Sequence, residues 1–138
     1  AYAVYSFGSS YSDAGVFGLF AGTSPAKAGE VTEIMLAELH KLAQHGVTAD
    51  EMSRARGQLA GSSALALEDT DTRMSRLGRS EISLGEFYDY DASMLLLDTV
   101  TAEGVQALAQ DFVSRDLSTV VVGRGDVDDI KKRVGEKH

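Results

Sequence analysis

The sequence of 138 residues contains no cysteine and no tryptophan, and it has only one proline. Without cysteine the chain can form neither disulfides nor thiolate metal sites. Long apolar runs are also missing, and no stretch approaches the roughly eighteen apolar residues of a membrane-spanning helix. We therefore predict no disulfide framework, no cysteine-ligated metal and no membrane partner.

Positive charge is scarce as well. Thirteen Lys and Arg residues stand against 21 Asp and Glu residues, which gives a net charge of −8. A nucleic-acid surface needs a basic patch that displaces counterions, so we predict no nucleic-acid partner. The sequence shows no secretory signal pattern, and we expect a cytoplasmic location. The hydrophobic fraction of 43% is that of an ordinary globular protein with a core.

Two predicted strands open the sequence. Residues 2–10 alternate in side-chain character as a strand does, and the turn at 11–15 contains Asp and Gly. Residues 16–21 form the second predicted strand. The valine-rich segment 117–122 predicts a third strand, in a buried position of the sheet.

Most of the remaining sequence predicts helices. A first helix starts at Thr23-Ser24-Pro25 and runs to about Gln44, a capping box opens a second over roughly 49–67, and a third covers 72–84. Shorter helices follow around 92–97, after Thr101 and after Asp126. The side chains predicted to face inward are Val31, Ile34, Met35, Leu39 and Leu42 on the first helix, Met52, Ala55, Leu59, Ser62, Ser63 and Ala66 on the second, and Met74, Leu77 and Ile82 on the third. This order predicts an α+β fold with an antiparallel or mixed β-sheet covered on one face by helices.

The polar residues form no complete catalytic or metal-binding pattern. His40 and His45 are five residues apart, which places them about 140° apart around a helix, so exposed histidines are favoured over zinc ligands. Gly123-Arg124-Gly125 has part of the glycine pattern of a phosphate-binding loop, but acidic residues follow it and a plain turn into a helix is favoured. No serine lies in a nucleophile motif. We assign no catalytic residue and no metal ligand to this chain.

Three arginines of the third helix, Arg73, Arg76 and Arg79, recur at every third position. They could bind an anion. The interpretation we favour is that they pair with the surrounding acids on a solvated or inter-domain face, as surface charges usually do.

Three stretches together resemble one protein family. They are AYAVYS at 1–6 continuing into DAGVFGLFAGTSP at 13–25, VTADEMSRARGQLAG at 47–61, and LEDTDTRMSRLGRSEISLG at 67–85 with its R-M-x-x-L-G-R core. In this order they resemble the C-terminal half of pitrilysin/insulinase-type zinc metallopeptidases, in the branch related to mitochondrial processing peptidase. The resemblance covers essentially the whole sequence.

The resemblance implies a two-half enzyme. Such proteins have two homologous α+β halves around a chamber, and the N-terminal half carries an inverted H-x-x-E-H motif that binds zinc. It implies zinc in the full-length enzyme and none bound by this chain. It also implies that Tyr2 binds substrate, since Tyr2 matches the family's substrate-binding tyrosine, and a phenol on a strand can donate to a peptide carbonyl. The alternative for Tyr2 is a packed strand aromatic.

We therefore interpret residues 1–138 as part of the C-terminal, non-zinc domain of a zinc metalloendopeptidase. We expect the family's arginine partner of Tyr2 to lie upstream of Ala1, and the sheet to show an unpaired edge. The expected partners are a peptide substrate, the N-terminal catalytic half and, in a homodimer, a second copy. The isolated chain is predicted to be inactive. The alternative is a non-catalytic structural or partner subunit of the family, and a buried Tyr2 would instead favour an unrelated binding module.

Overall fold

The protein combines one small sheet with six helices in the computed structural model, which describes residues 1–135 except for the side chain of Leu84. The elements are β1 (Ala3–Ser10), β2 (Gly15–Gly22), α1 (Ala28–His45), α2 (Ala49–Ala66), α3 (Thr70–Leu84), α4 (Tyr90–Asp98), α5 (Ala102–Val113) and α6 (Val127–Gly135), with a 3-10 turn at Pro25–Lys27 before α1. The predicted α+β class is confirmed. The chain divides into two compact units, Ala1–His45 with Ala107–His138, and Gly46–Gln106.

The two strands form an antiparallel hairpin. Their register runs without interruption from Ala3 opposite Gly22 to Ser10 opposite Gly15. The turn closes where the Tyr11 N–H donates to the Ala14 carbonyl at 2.8 Å. The predicted strand pair and turn therefore lie where the alternation and the turn residues placed them.

The third predicted strand, residues 117–122, is wrong for the part of the chain that the structure describes. β1 and β2 are the only strands there, and Val120 and Val122 are 87% and 95% exposed instead of buried. A run of β-branched residues shows that a segment suits a sheet, but a strand also needs a neighbour for its N–H and C=O groups. No neighbour pairs with this segment among residues 1–135.

The first unit has a small apolar core. Helix α1 contributes side chains spaced three and four residues apart, the spacing of one helix face. The predicted face of α1 included Leu39 correctly, but Ile34 is 53% exposed. Apolar residues lie around much of the circumference of α1. Their pattern therefore does not determine which side of the helix faces the core. The buried side chains are Leu36, Leu39, Ala43, Ala109 and Ile130.

Helix α6 is fastened to α1 by an ion-pair cluster. Arg133 Nε lies 3.0 Å from the Asp129 carboxylate, and its Nη1 lies 2.6 Å from Glu33 on α1. The hydrogen bond to Asp129 raises the pKa of Arg133. Gly29 permits this contact, because a Cβ at that position would lie 2.1 Å from Asp129 Oδ2 and 2.7 Å from Arg133 Nε.

The predicted helix boundaries are confirmed at several caps. Gly46 and Gly85 adopt positive φ angles of 68° and 69°, which suit glycine at a helix end. Thr48 and Glu51 form the predicted capping box, with the Thr48 N–H donating to Glu51 at 2.8 Å and the Glu51 N–H donating back at 3.2 Å. These local signals need no tertiary partner, which is why the sequence predicts them.

The second unit has no buried side chain among its described residues. The predicted inward faces of α2 and α3 are wrong in this respect, since Leu59, Met74, Leu77 and Ile82 are all at least half exposed. The apolar periodicity identifies a stripe on each helix, but it does not supply the surface that would cover the stripe. Polar contacts therefore carry much of the packing of this unit, as described below.

We predict that Gly29→Ala destabilises the protein by about 1–3 kcal/mol, because the new methyl group must displace the Asp129–Arg133 pair. Gly57→Ala is the matched control, since Gly57 has no atom within 4 Å of its Cβ position in α2. That change is expected to stabilise by about 0.5–1 kcal/mol through helix propensity. Denaturant unfolding measures both, and equal stabilisation by the two substitutions would contradict the proposed close contact.

Candidate functional site

Tyr2, the predicted substrate-binding residue, lies directly before β1. Its N–H donates to the Gly22 carbonyl at 2.6 Å, so its backbone is held at the end of the hairpin. Its side chain is 84% exposed. Residues 1–135 cover little of this side chain. Its role in substrate binding stays a prediction.

One face of the hairpin, the aromatic face, carries Tyr5, Phe7 and Phe20. The Tyr5 and Phe20 rings stack across the two strands with centroids 4.8 Å apart. The Phe7 ring lies over Gly18, where a Cβ would be only 2.3 Å from the ring. All three aromatic side chains remain exposed, so this face can still pack against another apolar surface.

The opposite face of the hairpin meets a helix. The rings of Phe17 on β2 and Phe112 on α5 stack nearly parallel, 4.5 Å apart. Helix α1 also contacts β2. Through the Phe17–Phe112 stack, α5 therefore contacts the side of the sheet that faces away from the aromatic face.

The histidines do not form a metal site. His40 is half-buried and His45 is exposed near the end of α1, and His138 lies outside the described residues. Residues 1–135 contain no group of three or more His, Cys, Asp or Glu side chains placed to hold a metal ion. The described residues therefore do not fit a zinc ion, which needs three or four converging ligands. No helix in the same range has the length and apolar character required to cross a bilayer.

The segment after Gly123 is a helix start. Asp126 Oδ1 accepts the N–H groups of Asp128 at 3.0 Å and Asp129 at 3.1 Å. The Asp126 carboxylate thus accepts hydrogen bonds from the same backbone N–H groups that would bind a phosphate, as an N-cap residue does. The favoured interpretation of this glycine pair as a plain turn into a helix agrees with the geometry.

The three arginines of α3 differ in their contacts. Arg76 donates to the carbonyls of Tyr88 at 2.8 Å and Asp89 at 3.2 Å, and to the Ser93 hydroxyl at 2.7 Å. Its guanidinium also lies 5.5 Å from the Phe87 ring centroid. The predicted pairing with acids is therefore wrong for Arg76, whose partners are mainly backbone carbonyls. Arg76 fastens the segment between α3 and α4.

Arg56 has a comparable role on α2 that the sequence did not reveal. Its Nη2 donates to the Val100 carbonyl at 2.5 Å and the Asp98 carbonyl at 3.5 Å, and its Nε is buried with no partner in the described chain. Tyr90 adds a long hydrogen bond from its hydroxyl to the Ala60 carbonyl at 3.4 Å. The only feature of the sequence that could have indicated this role of Arg56 is the position of an arginine among the small side chains of α2.

Two shifted pKa values have structural causes. The Thr72 hydroxyl and the Thr72 N–H donate to the Asp69 carboxylate at the start of α3, which lowers the pKa of Asp69. The Tyr88 hydroxyl donates to Glu86 at 2.9 Å, which raises the pKa of Tyr88. Both groups are exposed, and their partners account for the shifts. Neither is placed as a catalytic acid or base.

Comparison with known proteins identifies a peptidase family and several relatives that are similar to this chain. Residues 1–59 match the family described as the peptidase M16 inactive domain. An uncharacterized zinc protease of Streptomyces coelicolor is 43% identical over 123 residues, which is 89% of this chain and 27% of that protein. The predicted resemblance to the C-terminal half of a zinc metallopeptidase family is confirmed, whereas its branch related to mitochondrial processing peptidase stays a prediction.

Two further relatives show how broad the relationship is. An uncharacterized zinc protease of Bacillus subtilis is 33% identical over 88% of this chain and 30% of its own length. Subunit 2 of the mitochondrial cytochrome b-c1 complex of Mus musculus is 26% identical over 87% of this chain and 26% of its own length. The chain thus spans less than a third of the length of each of these relatives.

We predict that Arg76→Lys lowers the free energy of unfolding by about 1–2 kcal/mol, because an ammonium cannot reproduce the forked contacts to two carbonyls and a hydroxyl. Arg79→Lys is the control, since the described residues offer Arg79 no hydrogen bond or ion pair, and it should change stability by less than about 0.5 kcal/mol. Thermal unfolding of both variants measures the difference. Equal effects would contradict the fastening role of Arg76.

Proposed function

We propose that the chain belongs to the peptidase M16 family and forms the C-terminal, substrate-chamber half of a zinc-dependent metalloendopeptidase that hydrolyses peptides. The match of residues 1–59 to the inactive domain carries this proposal. The relatives named as zinc proteases support it. Zinc is then held by the N-terminal catalytic half, which is the partner of this chain, and the cytoplasmic location stays a prediction.

Tyr2 is the residue of this chain that contacts the substrate. Its exposed side chain and its backbone bond to Gly22 support this role, because a phenol on a fixed backbone position is preorganised to donate. The hydroxyl donates to a carbonyl of the bound peptide, or to the oxygen that gains negative charge as that carbonyl is attacked. The substrate is thereby held against the catalytic half.

The isolated 138-residue chain is expected to show no zinc-dependent cleavage of a quenched fluorescent peptide, because its described residues hold no metal-ligand group. The control is a longer protein that contains both halves, assayed with and without a chelator. Chelator-sensitive cleavage by the isolated chain would contradict the assignment.

In such a two-half protein, Tyr2→Phe is expected to lower kcat/KM. The decrease should be about tenfold if the phenol donates one neutral hydrogen bond, and about 100-fold if it donates to the oxyanion. Tyr11→Phe is the matched control, since Tyr11 is also an exposed hairpin tyrosine and should change kcat/KM by less than about twofold. Similar losses in both variants would point to hairpin stability instead of a substrate contact.

The second candidate function is that of a non-catalytic structural or partner subunit. The relationship to a cytochrome b-c1 complex subunit favours it, because that relative is named as a component of a complex. The two candidates differ in the peptidase assay of the two-half protein. Chelator-sensitive cleavage selects the enzyme, and its absence together with stable assembly into a larger complex selects the subunit.

A further inference from the structure

Two arginines on α3 have no counter-charge in the part of the chain that the structure describes. Arg73 and Arg79 are exposed, and among residues 1–135 no carboxylate lies within ion-pair distance of either one. Arg76, which lies between them in sequence, donates to carbonyls and a hydroxyl. We call Arg73 and Arg79 the unpaired arginines. They form a positive surface on a chain whose net charge is −8.

Other arginines of the chain are paired within their own helices. Three of them have an aspartate four residues earlier, which is a spacing at which helical side chains meet. The sequence therefore supplies local counter-charges elsewhere. These pairs are Asp50–Arg54, Asp111–Arg115 and Asp129–Arg133, with nitrogen–oxygen distances of 3.2, 2.9 and 3.0 Å.

The unpaired arginines lack this arrangement. No acidic residue lies three or four positions from Arg79 in either direction. Asp69 lies four positions before Arg73, but it caps α3 and accepts hydrogen bonds from the N–H and the hydroxyl of Thr72. Arg76 is three positions from both, and like charges at neighbouring helical positions destabilise a helix. Since the chain has 21 acidic residues, a shortage of carboxylates does not explain this pattern.

We propose that Arg73 and Arg79 form an inter-domain face that binds carboxylate groups from the remainder of the two-half protein. The inference rests on the proposed function, because it requires that this chain acts within such a protein. The chain spans 27% and 30% of the length of two relatives, which leaves most of their length outside the match. A guanidinium can donate two parallel N–H groups to one carboxylate, so arginine suits such a contact.

Energetics favour a partner within the same protein. One or two exposed ion pairs contribute little, and they are too weak to hold a separate molecule against the entropy lost on association. A partner in the same polypeptide has an effective concentration of about millimolar, so weak contacts suffice. A nucleic acid is disfavoured, because the net charge of −8 repels its phosphates.

The double substitution Arg73→Gln with Arg79→Gln tests the proposal through thermal unfolding of two proteins. In the 138-residue chain the midpoint should not fall, because the described residues give these side chains no counter-charge. In the two-half protein the midpoint should fall by roughly 2–4 °C. Raising NaCl from about 0.05 to about 0.5 M should remove most of that difference, because salt screens exposed ion pairs.

Arg54→Gln is the matched control. Its pair with Asp50 is complete within α2, so it should shift the midpoints of both proteins equally. The readout needs no catalysis: a two-half protein without peptidase activity would contradict the proposed function, whereas the unfolding midpoints still decide this inference. An equal fall in both proteins, or no fall in the two-half protein, would overturn it. So would a fall that salt does not reduce, a fall that depends on protein concentration, or an effect on KM alone.

Discussion

The pairing of β1 with β2 is the interaction on which the functional part of the structure depends. Its register places Tyr5, Phe7 and Phe20 on one face and Phe17 on the other, where Phe17 contacts Phe112. The same hairpin holds the backbone of Tyr2 against Gly22. A shift of one residue would turn every side chain to the opposite face, so the register fixes both the helix contact and the predicted substrate contact.

The two compact units are stabilised by different kinds of contact. Unit one has a few buried aliphatic side chains and an ion-pair cluster that joins α6 to α1 beside Gly29. In unit two, Arg56 and Arg76 donate to backbone carbonyls between α3 and α5, and no described side chain is buried. Guanidinium groups suit this purpose because one planar group can serve several acceptors.

Local features could be predicted from the sequence because their causes lie within a few residues. The capping box at Thr48, the glycine ends at Gly46 and Gly85 and the opening hairpin all follow this rule. Other features depend on surfaces that are distant in sequence. These are the rotation of α1, the exposure of Met74 and Leu77, and the lack of a strand partner for residues 117–122 in the described chain. Periodicity identifies an apolar stripe or a strand-forming segment, but it does not identify what covers or pairs with it.

The candidate site was predicted through family resemblance, and the residues alone did not yield it. Nothing in the spacing of Tyr2 distinguishes it from Tyr5 or Tyr11, and its assignment follows only from the resemblance of the opening strand to the family. The most direct test replaces Tyr2 with a photoreactive aromatic residue in a protein containing both halves and irradiates it with a bound peptide. The account predicts crosslinking to the peptide at position 2 and none from the same residue at position 11. Equal crosslinking at both positions, or none at position 2, would contradict it.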